Sequence, residues 1–498
     1  MTVNLVKKVL AYFSYAFIPV SLGLFAIGYL LSNFNIILCG VLSMFLSNLV
    51  FCFLEVKSRS ILLILHVTLF TFLLSRPTIS MFRGNEWWYF DDESVYFALN
   101  ALMLTLAAIR AGASFCGSII KSKNKTVTPV TSSLADNKES FIYCLQTVAM
   151  VFFFLTMAFY LIKQGEKLVF MSGRDYEEYY TSFKSQLPSV VYTLSAMMRY
   201  SLCVFLATFP SKAKAFIPLA LYFISEVPTL IIGLRNPIVL NAIFVFLYYI
   251  LRDALGDKQK WIGKIERWAI VLIVPVAMVL LSAYNYLRQG QSADMNVFES
   301  IVDLFYKQGV SFDVLCMGHN AIPDLPDVID KNYTFGGIID YIKHGSIAQN
   351  FFGAIDLGSH NSELLAVYGS SFAHSMSYVA HPRYLEGEGW GSSYLLETFA
   401  DWGYIGILVF SLVLGAITVW MLSGMKKGVL LRTVILVGLT NLFFIPRAEA
   451  TGWLSFLFTV QFWLAICFCY FCATVLTDHT SHRTVYSTNH SKRGKYYA

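Results

Sequence analysis

Long apolar blocks separated by short polar ones run through the whole of this chain. Twelve such blocks fall at roughly 11–31, 34–54, 61–75, 95–117, 141–162, 189–209, 216–234, 236–251, 269–287, 396–422, 429–446 and 453–476, most of them near the ~20 residues that cross a bilayer core. The pattern predicts an all-α integral membrane protein of about 12 transmembrane helices. The first block is too long for a cleavable signal peptide and lacks a small-residue cleavage site.

The polar segments between blocks alternate in charge. Lys7, Lys8, Lys57, Arg59, Lys121, Lys212, Lys214, Arg252, Arg267, Lys426, Lys427 and the basic tail share one side, whereas Asp91, Asp92, Glu93, Asp175, Glu177 and Glu178 share the other. The positive-inside rule makes the first side cytoplasmic, with both termini inside, and an even number of spans agrees. Three external segments are substantial: Arg76–Ser94, Lys163–Pro188 and Arg288–Ser393. The last reads as a large periplasmic loop, a length that in a compact chain usually serves function. The chain thus divides into nine helices over 1–287, the loop over 288–393, three helices over 394–476, and a disordered cytoplasmic tail over 477–498. Within the loop, Asn296–Gln308 with Gly309 as a stop, Ile338–Ile355 and Glu363–Tyr378 carry helical apolar faces. No internal repeat is visible, which weakens a transporter built from inverted halves.

Composition agrees: 56% of residues are apolar, 16% aromatic and only 14% charged. The net charge of +6 says little about partners here, because its distribution matters more than its sum. Eight of the nine cysteines lie in or beside apolar blocks, so no disulfide framework is expected, and Cys469 and Cys472 read as small apolar filler. No Walker loop, G-x-S-x-G or dinucleotide fingerprint occurs, which disfavours ATP and nucleotide-sugar chemistry. Nothing points to nucleic acid or to a cofactor.

Charged residues inside the spans have bland readings. Arg199 and Glu226 sit at similar depth and suit a structural ion pair, Arg110 and Arg432 suit snorkelling, and His66 suits a hydrogen-bonded helix contact. Six arginines fall near the outer mouth: Arg76, Arg83, Arg235, Arg288, Arg383 and Arg447. Singly each suits a lipid headgroup; converging, they would suit an anionic substrate, since the guanidinium fork matches phosphate oxygens. Trp87, Trp88, Tyr89, Tyr176, Tyr179, Tyr180 and Trp390 share that side, either as an interfacial belt or as stacking surfaces for sugar rings. His319, His344, His360, His374 and His381 match no familiar metal spacing, though His374 and His381 lie seven apart and would share a helical face but for Pro382.

The densest stretch is His381–Gly406, HPRYLEGEGWGSSYLLETFADWGYIG, which joins the loop to the tenth span. Its part GWGSSYLLETFADWGYIG, together with the turn GLRNP at Gly233–Pro237 and the overall layout, resembles the Wzy-type polymerases of O-antigen and related surface polysaccharides. The related O-antigen ligases carry a His at this junction. Ser392 stands where that His would precede Gly403, which disfavours a ligase; a separate SHNSELLAVYG at Ser359–Gly369 is followed by no span.

The resemblance implies a membrane glycosyltransferase without cofactor, acting at the outer face of the bacterial inner membrane. A growing glycan on undecaprenyl pyrophosphate would be the donor and a lipid-linked repeat unit the acceptor; membrane lipid and a chain-length regulator are further implied partners. Arg235, Arg288 and Arg383 would clamp pyrophosphate. Glu388, Glu397 or His381 would act as base. Trp87, Trp88 and Trp390 would contact sugar. A ligase, or a lipid-linked oligosaccharide flippase, is the competing expectation.

Overall fold

A computed structural model describes residues 2–124, 135–174, 178–179, 182–288, 296–327, 331–358 and 360–493. Among them every regular element is helical, and twelve helices are long and apolar enough to cross a membrane. In chain order the first nine are α1 (Thr2–Leu30), α2 (Phe34–Leu54), α3 (Ser60–Phe82), α4 (Asp92–Asn124), α5 (Ala135–Met171), α6 (Ser189–Ala207), α7 (Lys212–Ile231), α8 (Asn236–Ala254) and α9 (Lys264–Arg288). Each falls on one of the expected blocks. Tyr176 and Tyr180 lie outside the described residues.

The segment after α9 folds into short helices that form an outer layer over one end of the spans: α10 (Val297–Gln308), α11 (Ser311–Ala321), α12 (Gly336–His344), α13 (Ser346–Phe352), α14 (Glu363–Tyr368) and α15 (Phe372–Ala380). Asn296 caps α10 by accepting from the Glu299 amide at 2.9 Å in a full capping box, and Gly309 ends it, as the sequence predicts. The other two expected loop helices are each split in two. Gly345 and Gly369 break them because the backbone turns back sharply: an added Cβ would lie 2.2 Å from the Tyr341 carbonyl and 2.5 Å from that of Leu365. Three helices return to the bundle: α16 (Tyr394–Gly424), α17 (Val429–Leu439) and α18 (Val460–Arg493). The last runs beyond Thr477 to Arg493, a stretch free of glycine and proline, where extending a helix costs less than starting one.

Two local breaks aim the span ends beneath this layer. In α3, Pro77 cannot donate to the Leu73 carbonyl, and a π turn over Phe70–Leu74 absorbs the mismatch. In α16, Trp402 and Gly403 leave helical geometry, Gly403 at φ +60°. A residue with a Cβ is strained there, so glycine permits the kink. The first two turns of α16 therefore belong to the outer layer and the rest to the bundle.

The bundle is knitted by close backbone crossings. At α4 against α16, a Cβ on Gly112 would stand 1.9 Å from the Leu412 carbonyl oxygen, and one on Gly415 would stand 2.1 Å from that of Ile109. Small residues let helix backbones meet where no hydrophobic drive separates helix from lipid. Gly112→Ala is expected to cost about 3 kcal/mol. Gly117→Ala, inside the same helix with nothing within 4 Å, should instead stabilise by about 0.5–1 kcal/mol. Thermal melts of the purified proteins in detergent would check both.

Charged residues within the bundle are satisfied internally. Arg110 does not snorkel; it is buried and donates to Ser14 Oγ at 2.8 Å and Ser47 Oγ at 2.5 Å. Arg432 turns inward to the carbonyls of Ala207 and Met425. Arg199 and Glu226 do not pair. Glu226 takes the Tyr160 hydroxyl and the Gln164 amide, while Arg199 donates to the Tyr200 hydroxyl at 3.5 Å and faces the Asn441 side-chain amide. Each charge is thus met by nearby polar side chains rather than by the other. His66 meets Asn48 at 3.1 Å, the helix contact expected of it.

Candidate active site

A cavity of about 440 Å³ opens in the outer layer between α15 and the turn that follows it. That volume is usual for ligand pockets, about 300–1,000 Å³. One face of α15 supplies His374 and Ser377, and His381 follows one turn on; the 374, 377, 381 spacing is the i, i+3, i+7 face of a helix. Pro382 stops the helix only after His381 has been placed on that face. The chain then folds back through Gly387, at φ +95°, so that Glu388 and Trp390 form the opposite wall.

Three interactions hold the fold-back. Ser377 Oγ donates to the Trp390 carbonyl at 3.1 Å and accepts from its amide at 2.9 Å. Asn361 donates its amide to the carbonyls of Tyr384 and Glu388 at 2.9 and 2.7 Å. The His381 and Trp390 rings meet edge to face at 5.1 Å.

The charged groups make a small relay. Glu388 lies 3.6 Å from His381 Nε2 and pairs through its other oxygen with Arg383, whose guanidinium is 56% exposed and does not itself line the cavity. His381 Nδ1 accepts from the Arg383 amide at 3.2 Å, so the ring proton belongs on Nε2, toward Glu388. His374 meets the Tyr384 hydroxyl through Nδ1 at 3.0 Å, and that hydroxyl also reaches the Ser362 carbonyl at 3.3 Å. With the Tyr384 proton on the Ser362 carbonyl, Nδ1 of His374 carries the imidazole proton and Nε2 keeps its lone pair. Burial, opposed by the Asp340 carboxylate, holds His374 below its ordinary pKa of 6.5, which favours this neutral form.

Beneath the cavity the backbone continues through Gly391 into a knot of carboxylates. Glu397 is 0% exposed; it accepts from Ser392 Oγ and from the Ala450 amide, each at 2.7 Å. Asp401 accepts the amides of Tyr333 and Thr334, and Asp340 that of Ser370. Glu449 is pushed up by burial and by Asp340. These groups tie α12, the start of α16 and the segment after α17 to one another. Among the described residues no group of His, Cys, Asp and Glu is arranged to hold a metal ion.

The other sequence candidates lie elsewhere. Trp87 is 3% exposed, donates its indole N–H to Asn35 at 2.8 Å and packs on Phe34 and Phe312. Trp88 packs beside it, 5.7 Å from Phe34. Arg235 occupies the turn before α8, half-buried, and does not line the cavity. Arg288 ends α9, and its side chain lies outside the described residues. A different set of arginines gathers at α10. Arg76 and Arg83 flank the Tyr306 ring, Arg76 pairs with Asp313 at 3.2 Å, and Arg447 donates to Gln308. Burial lifts Asp313 to about 6 despite that arginine. The sevenfold spacing of His374 and His381 signalled their shared face, whereas nothing local to Asn361 marks it as a clamp.

Searches of curated proteins and of solved structures return no match. A family model described as O-antigen polysaccharide polymerase Wzy matches residues 12–479, taking in eleven spans whole and most of the first, with the cavity and the carboxylate knot. On that match, which covers nearly its whole length, the chain belongs to the Wzy family of O-antigen polysaccharide polymerases.

Proposed function

We propose that this polymerase joins oligosaccharide repeat units carried on undecaprenyl pyrophosphate, at the outer face of the bacterial inner membrane, and that the cavity beside α15 is where they react. The observation that carries this reading is the cavity wall, where two imidazoles, a carboxylate and an indole face one volume next to a membrane span, the carboxylate being paired with the Arg383 guanidinium. Trp390 offers the sugar an aromatic edge. His374 Nε2 accepts the proton of the acceptor hydroxyl as that oxygen bonds to the donor's anomeric carbon. The bond from that carbon to pyrophosphate breaks, and the lipid pyrophosphate leaves with the electron pair. Arg383, engaged with Glu388 through Nη2, has further N–H donors for the departing charge. Arg235 and Arg288, at the same end of the bundle by helix count, extend the cationic path. Glu388 and His381 position Arg383.

The test is reconstitution. Purified protein in a bilayer, given a synthetic lipid-pyrophosphate repeat unit, should produce a glycan ladder and free lipid pyrophosphate in equal bond count. Arg383→Ala should slow the ladder about tenfold or more. A ladder of undiminished rate from that variant would sink the clamp, and absence of any ladder from the wild type would sink the donor assignment.

A further inference from the structure

The end of the bundle opposite the cavity holds a second hollow, of about 430 Å³, framed by α1, the α2–α3 turn and the ends of α4 and α16. Three cations line it, Arg59, Lys121 and Lys426, against a single carboxylate, Glu55. Arg59 is fixed on its floor. Its guanidinium lies 3.6 Å over the Phe51 ring, donates to the Phe51 carbonyl and meets Glu55 at 3.5 Å. Lys121 reaches the other Glu55 oxygen at 2.5 Å but stays 63% exposed. Lys426 is exposed and forms no ion pair among the described residues. Two positive charges are therefore in excess. The remaining wall is apolar and hydroxylic, with Leu422 and Ser423 from α16.

We propose that this hollow binds the phosphodiester headgroup of an anionic membrane lipid. Its place decides between lipid and free phosphate. The lining residues sit where four apolar helices end, the level at which a bilayer presents its headgroups. Tyr15, which also lines the hollow, is two-thirds exposed on the outward face of α1, so acyl chains can run down that face while the phosphate enters. A free phosphate would gain the cations but nothing from this apolar wall. The site is separate from the cavity beside α15 and does not depend on the reaction proposed there.

Full-length protein in phosphatidylcholine nanodiscs, titrated with phosphatidylglycerol and read by native mass spectrometry, tests the assignment. Lys121→Ala with Lys426→Ala is expected to weaken phosphatidylglycerol binding about 25-fold, roughly fivefold for each cation. Lys57→Ala with Lys427→Ala, at the same end but outside the hollow, should leave it unchanged. Equal loss from both pairs would reduce the effect to diffuse surface charge and overturn the site. Equal retention of phosphatidylcholine and phosphatidylglycerol by the wild type would also overturn it. Displacement of the lipid by inorganic phosphate at similar concentration would transfer the hollow to a free anion and end the lipid assignment.

Discussion

Cells whose only polymerase carries His374→Gln should display surface glycan that stops at a single repeat unit. Loss of a positioned general base typically removes about 10²–10⁴ in rate, enough to erase a ladder on a gel. Gln fills the space and can still bond Tyr384, so the fold-back over the cavity should persist. The pH profile separates a base from a packing residue. His374 must be unprotonated to accept a proton, and burial disfavours its imidazolium form. Activity of the wild type should therefore hold as pH falls through 6.5 and decline only below it. In the variant, residual activity should lack that acid limb. A variant profile of unchanged shape would assign His374 to packing alone.

Glu397→Ala should unfold the junction between the outer layer and the bundle. The carboxylate has no solvent exposure, and its two oxygens satisfy Ser392 Oγ and the Ala450 amide. Removing it strands a buried N–H and leaves a void, for a combined loss of about 3 kcal/mol. Thermal midpoint and polymer length should fall together. Glu397→Gln is the informative partner. Its carbonyl can serve Ala450 while its amide donates to the Ser392 hydroxyl, which accepts as readily as it donates. That variant should keep its ladder if the residue positions the site. Loss of the ladder with an unchanged melt would instead give the carboxylate a part in proton transfer.

The contrast between those two residues marks what could be read from sequence. The spans and the α10 cap follow from local rules, apolar length and an Asn-x-x-Glu pair, and both stand in the fold. The splits at Gly345 and Gly369 depend on how closely a backbone passes its own preceding turn, which periodicity does not encode. Trp87 illustrates a second limit. In the sequence it is one of several aromatics at the mouth; its burial follows from Asn35 and Phe312, far away in the chain. The cavity itself needs Asn361, α15 and the Glu388 turn to arrive from three places; His381, Glu388 and Trp390 stand close together in the chain and the face shared by His374 and His381 follows from spacing, whereas Asn361 carries no local signal.

The kink at Trp402 and Gly403 has a mechanical consequence. Bilayers differ in thickness, and a span accommodates the difference by tilting. Were α16 a single straight rod, every degree of tilt would sweep the Glu397 knot through an arc. The kink divides the rod, so a lean of the membrane shaft need not be carried rigidly into the two outer turns, which are held to the segment before α12 and to the Ala450 backbone.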